Sequence, residues 1–416
     1  MIKFIAAGLL ISSALASSAY SAFSEVGIFG TPTNNPGQGK TSAEIIAVTA
    51  DGMTLVYSDG PANALGMIDI TDPTKPLPLG SIDVGNEPTS VAIKNGEVFV
   101  GINTSPNYMK PSGHLLVIDL ASKMEVARIE LGGQPDSVAV SPDGTFAAIA
   151  IENQRNEDIN GAKIPQLPGG YVAIVNLVNH SLTKVDLIGF STIAPNDPEP
   201  EFVDINDLGE IVVTLQENNW MVVIDPNGNI ISEFDAGLVT LKGVDNKEDG
   251  ELNMVDTIVN VRREPDADKW IDNEHFATAN EGDYKHEAPG QAKRGGSRGW
   301  TIFNKDGSVV YESGASYERL IASAGYWPER RAEKKGVEPE SVEVATYDDA
   351  RYIFVGAERA NAIGVYNAND LRNPELVTIL PTGFRPEGLL AIPQRNLLVS
   401  ANEDDMRNSV TIYSLE

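Results

Sequence analysis

The chain has 416 residues, 42% apolar and 22% charged, a balance that excludes both a disordered chain and a membrane-embedded one. With 59 acidic against 31 basic residues the formal charge is -28, which argues against nucleic acid and anionic membrane surfaces as partners and favours cations. No cysteine is present, so disulfides, thiolate chemistry and sulfur-bound zinc are excluded.

The chain opens with "MIKFIAAGLLISSALASSAYSAF": one lysine, a short apolar core from Phe4 to Ala16, and small residues before Phe23. That is the layout of a secretory signal peptide over 1–22, cleaved between Ala19 and Ala22. The apolar run is shorter than the ~20 residues a spanning helix needs. The expectation is export to the periplasm or cell surface, with no membrane insertion after cleavage. Next comes "SEVGIFG", Ser24 to Gly30, an alternating strand pattern that precedes any repeat.

From there a turn-into-strand join recurs: "TSAEIIAV", "NEPTSVAI", "GQPDSVAV", "PEPEFVDI", "REPDADKW", "VEPESVEV" and "FRPEGLLAI". The copies are spaced by about 45 to 75 residues, the span of four-stranded propeller blades with some long loops. Each copy runs into a strand, a tight turn such as "SPDG" at Ser141 to Gly144, a second strand, an irregular loop and a third strand such as "LLVIDL" or "MVVIDP". Fourth strands follow in six units, and the last unit stops after "VTIYSL". The predicted fold is therefore all-β: one seven-bladed β-propeller over 23–416. An open ring would leave unpaired edges, so Ser24–Gly30 is predicted to pair beside Ser409–Ser414 and close it.

Antiparallel neighbours bring the start of each inner strand and the end of each second strand to one face of the disc. The first set of positions is Glu44, Thr89, Asp136, Glu201, Asp266, Glu340 and Glu387; the second is Asp59, Asn103, Glu152, Glu217, Glu281, Glu358 and Glu403. Six of seven are acidic in each set. For any one acid, turn chemistry is a sufficient reason, since a carboxylate accepts backbone N–H groups. A whole ring of acids at one mouth must in addition be protonated, hydrogen-bonded or bridged by cations. Oxygen donors with only four histidines in the chain suit calcium first, magnesium or manganese next.

Long loops open on the same face. "NQRNEDINGAKIPQLPGG" carries Arg155, Glu157, Asp158 and Lys163; "YKHEAPGQAKRGGSRG" carries Lys285, His286, Lys293, Arg294 and Arg298; "YWPERRAEKKG" carries Arg330, Arg331, Lys334 and Lys335. An acidic well with a basic rim is expected. "GVDNKEDGELNMVD", Gly243 to Asp256, partly matches a calcium loop, with Lys247 at a ligand position; a plain polar loop is the other reading.

Two enzyme motifs fail on context. "GGSRG", Gly295 to Gly299, fits G-x-S-x-G, but a nucleophile elbow needs a strand before it and a helix after it, and here a loop leads into a strand. "NNPGQGKTS" has Asn34 in place of the first glycine of a phosphate-binding loop and is followed by a strand, so no nucleotide site is expected, nor a haem or flavin.

The long motifs "IAIENQRNEDINGAKIPQLPGG", "DPEPEFVDIN", "TLQENN", "TANEGD", "GGSRGWTIFNKDG", "EPESVEVA" and "PTGFRPEGLLAIP" resemble the bacterial choice-of-anchor I family of exported propellers. Relatives carry the labels "esterase-like activity of phytase" or alkaline phosphatase-like. The resemblance spans nearly the whole mature chain and implies a seven-bladed propeller in the periplasm or at the cell surface.

Taken together, the residues point to metal-assisted ester or phosphoester hydrolysis, or to binding of an anionic small molecule, at the acidic mouth. Glu281, Asp283, Arg298 and Arg155 are the candidate catalytic residues. Arg359, Arg294, His286 and Arg385 are the candidate anion ligands. The candidate metal ligands are Glu44, Asp136, Glu152, Glu201, Glu217, Asp266, Glu340, Glu358, Glu387 and Glu403. The alternatives are a non-catalytic scaffold that binds a cell-surface component, and a lactonase-like hydrolase. A monomer is expected.

Overall fold

In the computed structural model, which describes residues 23–37, 39–285, 288–404 and 408–416, seven four-stranded antiparallel sheets follow one another along the chain as blades. The expected signal peptide over 1–22 and the candidate anion ligand His286 lie outside the described residues. The inner strands of blades one to seven are Ile46–Val48, Glu87–Lys94, Pro135–Val140, Pro200–Ile205, Asp268–Trp270, Pro339–Tyr347 and Pro386–Ile392.

The burial of each strand follows from its place in the blade. Second strands such as Phe146–Ile151 are buried on both faces, because a neighbouring blade covers each side. Outer strands alternate, as in Ile230–Asp235, where one face meets water. An apolar cluster fills each of the seven interfaces between successive blades, including the one that joins blade seven to blade one through Phe29, Ile46, Tyr57, Leu397 and Val410. The core is thus a closed series of blade contacts, and among the described residues no apolar cluster plugs the axis.

Blade seven takes its fourth strand from the other end of the chain. Phe23–Gly30 runs antiparallel to Ser409–Leu415, from Phe23 opposite Leu415 to Gly30 opposite Ser409. Phe23 anchors this strand edge-on against Tyr347, Tyr352 and Phe354 of blade six, with ring centroids 5.1, 5.7 and 5.2 Å apart.

Two insertions interrupt the repeat. A hairpin, Leu238–Val244 with Asp256–Arg262, stands between blades four and five, and a helix, Ser316–Ser323, between blades five and six. They pack on one another through Val239, Leu241, Val244, Val261 and Ala315. The sequence pattern marks only the Gly243–Asp256 tip of this hairpin, as loop, and leaves its two strands unread because their alternation is partial. No helix among the described residues is long and apolar enough to cross a membrane.

Candidate functional site at the acidic mouth

The recurring join has a structural cause. In five of the seven blades the register of the inner strand slips by one residue immediately after the repeat proline, between Pro88 and Ser90, Pro135 and Val138, Pro200 and Val203, Pro339 and Val342, and Pro386 and Gly388. Proline has no N–H to lose at a strand's first residue, and the bulge that follows re-aims the next side chain. That next residue is Thr89, Asp136, Glu201, Glu340 or Glu387, and the bulge turns it toward the axis.

These residues, with Glu44 and Asp266, line an axial cavity of about 600 Å³ together with Glu152 and Glu403 from second-strand ends. None of Glu44, Asp136, Glu201, Asp266, Glu340 and Glu387 forms an ion pair within the described residues. Burial and mutual repulsion act on them in the same direction. Asp136 is pushed up to about 7 by burial and by the charges of Glu217 and Glu87, and Glu387 up to about 8 by burial and by Glu358 and Glu403. Glu44, Glu201, Asp266 and Glu340 are raised well above the ordinary carboxylate range by burial first and neighbouring acids second. The ring cannot carry its full charge without protons or cations.

The second-strand ends lie just behind this ring and complete two groups. Glu152, Glu201 and Glu217 bring ligand oxygens within 4.8 Å of one another, and so do Glu281, Glu340 and Glu358. Both groups obey one rule of the repeat: the second-strand acid of one blade, then the inner-strand and second-strand acids of the next. Glu217 is 2% exposed, yet its Oε2 has no hydrogen-bond partner, and one oxygen each of Glu201 and Glu340 is likewise unsatisfied.

Basic side chains reach into the mouth and bind acids there. Arg155, 4% exposed, pairs with Glu217, Asp283 and Glu199. Lys335 pairs with Glu281, lies 3.4 Å from Glu338 and 3.6 Å from Asp283. Arg359 lies 3.2 Å from Glu338 and 2.7 Å from Glu358, and Arg385 pairs with Glu358 and, at 3.2 Å, with Glu403. Against the cost of burial, Lys335 and Arg155 hold the Asp283 carboxyl below its usual value. Glu281, by contrast, is pushed up to about 8, because burial outweighs Lys335. Part of the expected basic rim is therefore folded inward and neutralised, so Arg359 and Arg385, assigned as anion ligands, already have carboxylate partners.

A third set of acids, missed in the sequence, takes most of these cations. It stands just before the repeat proline: Glu199, Glu264 and Glu338, at most 1% exposed. Glu264 accepts from Arg262 Nε at 2.6 Å and from the backbone N–H groups of Asp283 and Tyr284; Glu338 accepts from Arg331 and Arg359. The signal was available in the quoted joins, where "PEPE", "REPD" and "VEPE" carry an acid on both sides of the proline.

Several assignments move. Arg298 is not at the mouth: it is 1% exposed, pairs with Glu318 at 3.3 Å and donates to Asp245 O and Ala332 O at 2.9 and 2.7 Å, which makes it a strut beneath the insertions. Arg294 lies on the blade-five loop, bridged to Lys285. The Gly243–Asp256 loop is the hairpin tip, where Asp245 accepts from the N–H groups of Lys247 and Asn253 and Asp249 from that of Glu251, so these carboxylates close turns. Asp59 is likewise a latch, accepting from Ser42 N, Ala62 N and Asn35 Nδ2. Ser297 of "GGSRG" is fully buried and bonded to Asn280. The glycines of that motif answer to packing: a Cβ at Gly295 would overlap the Glu264 carboxylate, and one at Gly296 the Glu281 carbonyl.

Among solved structures, the chain is similar in fold to hydrazine synthase of Kuenenia stuttgartiensis (14% identity, TM-score 0.56, 91% of this chain and 97% of that one). It is similar also to U3-55K (12%, 0.61, 94% and 98%) and to virginiamycin B lyase of Staphylococcus aureus (12%, 0.59, 95% and 100%). At these identities the likeness is one of architecture alone. No curated protein sequence matches. The model of the choice-of-anchor I domain matches residues 44–295 and 287–371, which include both carboxylate groups and stop before blade seven, and the chain belongs to the choice-of-anchor I family, a propeller of the exported or cell-surface kind.

Proposed function

We propose that this propeller binds divalent cations at its acidic mouth, calcium first and magnesium or manganese next, and presents them to an anionic small molecule. The observation that carries the reading is the group Glu152, Glu201 and Glu217, whose oxygens converge within 4.8 Å while the buried Glu217 keeps an unsatisfied oxygen. Hard, anionic oxygen donors without imidazole match calcium's preference, and a bound ion would relieve the repulsion that otherwise keeps the ring protonated. A cation held there would act as a Lewis acid toward an ester or phosphoester oxygen, with Glu281 and Asp283 beside it.

A second reading, a non-catalytic scaffold that recognises a cell-surface component, is favoured by one specific feature. Arg155, Arg359 and Arg385 are engaged by mouth carboxylates, so none of these three is a preformed clamp for a phosphate. A lactonase-like hydrolase would need the cation and no clamp. Metal analysis of the purified protein, calorimetric titration with calcium, and turnover of p-nitrophenyl phosphate and of a simple lactone, each with and without calcium, separate the three. Calcium binding with phosphoester turnover lost in Glu281→Gln supports the hydrolase. Calcium binding without turnover supports the scaffold, and lactone turnover alone the third reading. Absence of any divalent-cation binding overturns the cation site.

A further inference from the structure

The two carboxylate groups differ in what already sits in them. On blades three and four, the nearest base is Arg155, whose planar fork is spread over Glu157, Glu199, Glu217 and Asp283. Such a multiply bonded, permanently charged group is fixed in place. On blades five and six Arg359 and Arg385 are likewise fixed on Glu358, but the base on Glu281 is Lys335, a single ammonium shared among Glu281, Glu338 and Asp283. Its segment is held independently of it. Arg298, buried with Glu318, donates to Ala332 O at 2.7 Å and Lys334 O at 3.3 Å, Arg331 bonds Glu338, and Gly336 N donates to Arg331 O at 3.0 Å. The backbone thus delivers the lysine to the mouth whether or not its ammonium stays on Glu281.

We propose that Lys335 is a built-in occupant of the Glu281, Glu340 and Glu358 group, which a divalent cation must displace from Glu281, so that this side chain, the one base there not fixed on Glu358, limits the affinity of that site. The inference rests on the cation reading above. Two cations cannot share Glu281 at van der Waals distance without strong repulsion in a buried site. Glu338 and Asp283 give the ammonium somewhere to retreat, since both already face it at 3.4 and 3.6 Å. Glu281 meanwhile keeps its other oxygen on Gln216 Nε2 at 2.9 Å, which holds the carboxylate aimed into the group.

The experiment is calorimetric titration of calcium into the mature wild-type chain, Lys335→Met and Glu340→Gln, together with acylation of lysines by a water-soluble active ester, read residue by residue by mass spectrometry. The expected result is a gain of about tenfold or more in calcium affinity for Lys335→Met, the size of effect one unit charge within 4–6 Å exerts on an ionic group. Glu340→Gln should lose the same site. In the wild type, calcium should speed acylation of Lys335 and leave other lysines unchanged. Unchanged acylation of Lys335 in a calcium-saturated wild type overturns the proposal even if Lys335→Met fails to fold, as does a folded Lys335→Met with unchanged or weaker affinity; both leave the cation site standing. Absence of calcium binding in the wild type and both variants overturns the cation reading and this inference with it.

Discussion

In blades four and six a glutamate stands on each side of the repeat proline, and the two sides behave oppositely. Glu199 and Glu338, before the proline, are at most 1% exposed and bound to cations; Glu201 and Glu340, after it, line the axial cavity without an ion pair among the described residues. The bulge makes the difference, since one residue of slip sends the second acid to the axis while the first stays in the seam between blades. Acidity at a repeat position is therefore two signals laid over one another. One set of acids holds loops down, and the other offers oxygens to a ligand.

Breaking the pair should show this in stability before it shows in binding. Glu338→Ala leaves Arg331, Lys335 and Arg359 around a missing carboxylate, and should cost about 3–5 kcal/mol in urea unfolding, as for other buried pairs that lose one member. Glu340→Ala, two residues on, should cost far less, because it removes a repelled charge. Equal losses from the two would erase the distinction drawn here.

Binding should report the other side. Glu201→Gln is expected to weaken calcium binding by about tenfold or more, with the thermal midpoint of the metal-free protein unchanged or raised; an unaltered calorimetric isotherm would count against Glu201 as a ligand.

A pH series sharpens the contrast further. Asp136 and Glu387 have folded-state values pushed up to about 7 and about 8, above the ordinary range of the unfolded chain near 4. The folded state then holds more protons than the unfolded one across that window, so these groups favour folding fully below about pH 4, and that contribution is lost as pH rises through 7 and 8. Urea midpoints of the metal-free protein should fall between pH 5.5 and 8, calcium should restore them at pH 8, and Asp136→Asn with Glu387→Gln should flatten the slope.

The smallest effect is expected at Asp59, a latch in the acidic position of blade one. Asp59→Asn weakens acceptor contacts to Ser42, Ala62 and Asn35, so a loss of about 1 kcal/mol with calcium binding untouched is the expected outcome of a melt and a titration run side by side.

Much of this was legible before any coordinates. The seven joins predicted seven blades, and the antiparallel strand order predicted that Glu44, Asp136, Glu152, Glu201, Asp266, Glu340, Glu387 and Glu403 would meet at one cavity, as they do. Repetition makes this possible, because a local pattern copied seven times carries its own three-dimensional arrangement. Arg298 shows the limit: a loop arginine beside a glycine motif was a catalytic candidate, yet it lies buried on Glu318.

What the sequence by itself determined was the repeated unit, its count, and the ring of acids that follows from strand direction. Tertiary structure alone decided which acids are neutralised and which remain open to a ligand. Arg155 meets Asp283 across 128 residues and two blades, and Lys335 meets Glu281 across 54. Such pairs form where loops from different blades fold over a shared opening, and ion pairing depends on distance and burial, which no repeat pattern encodes.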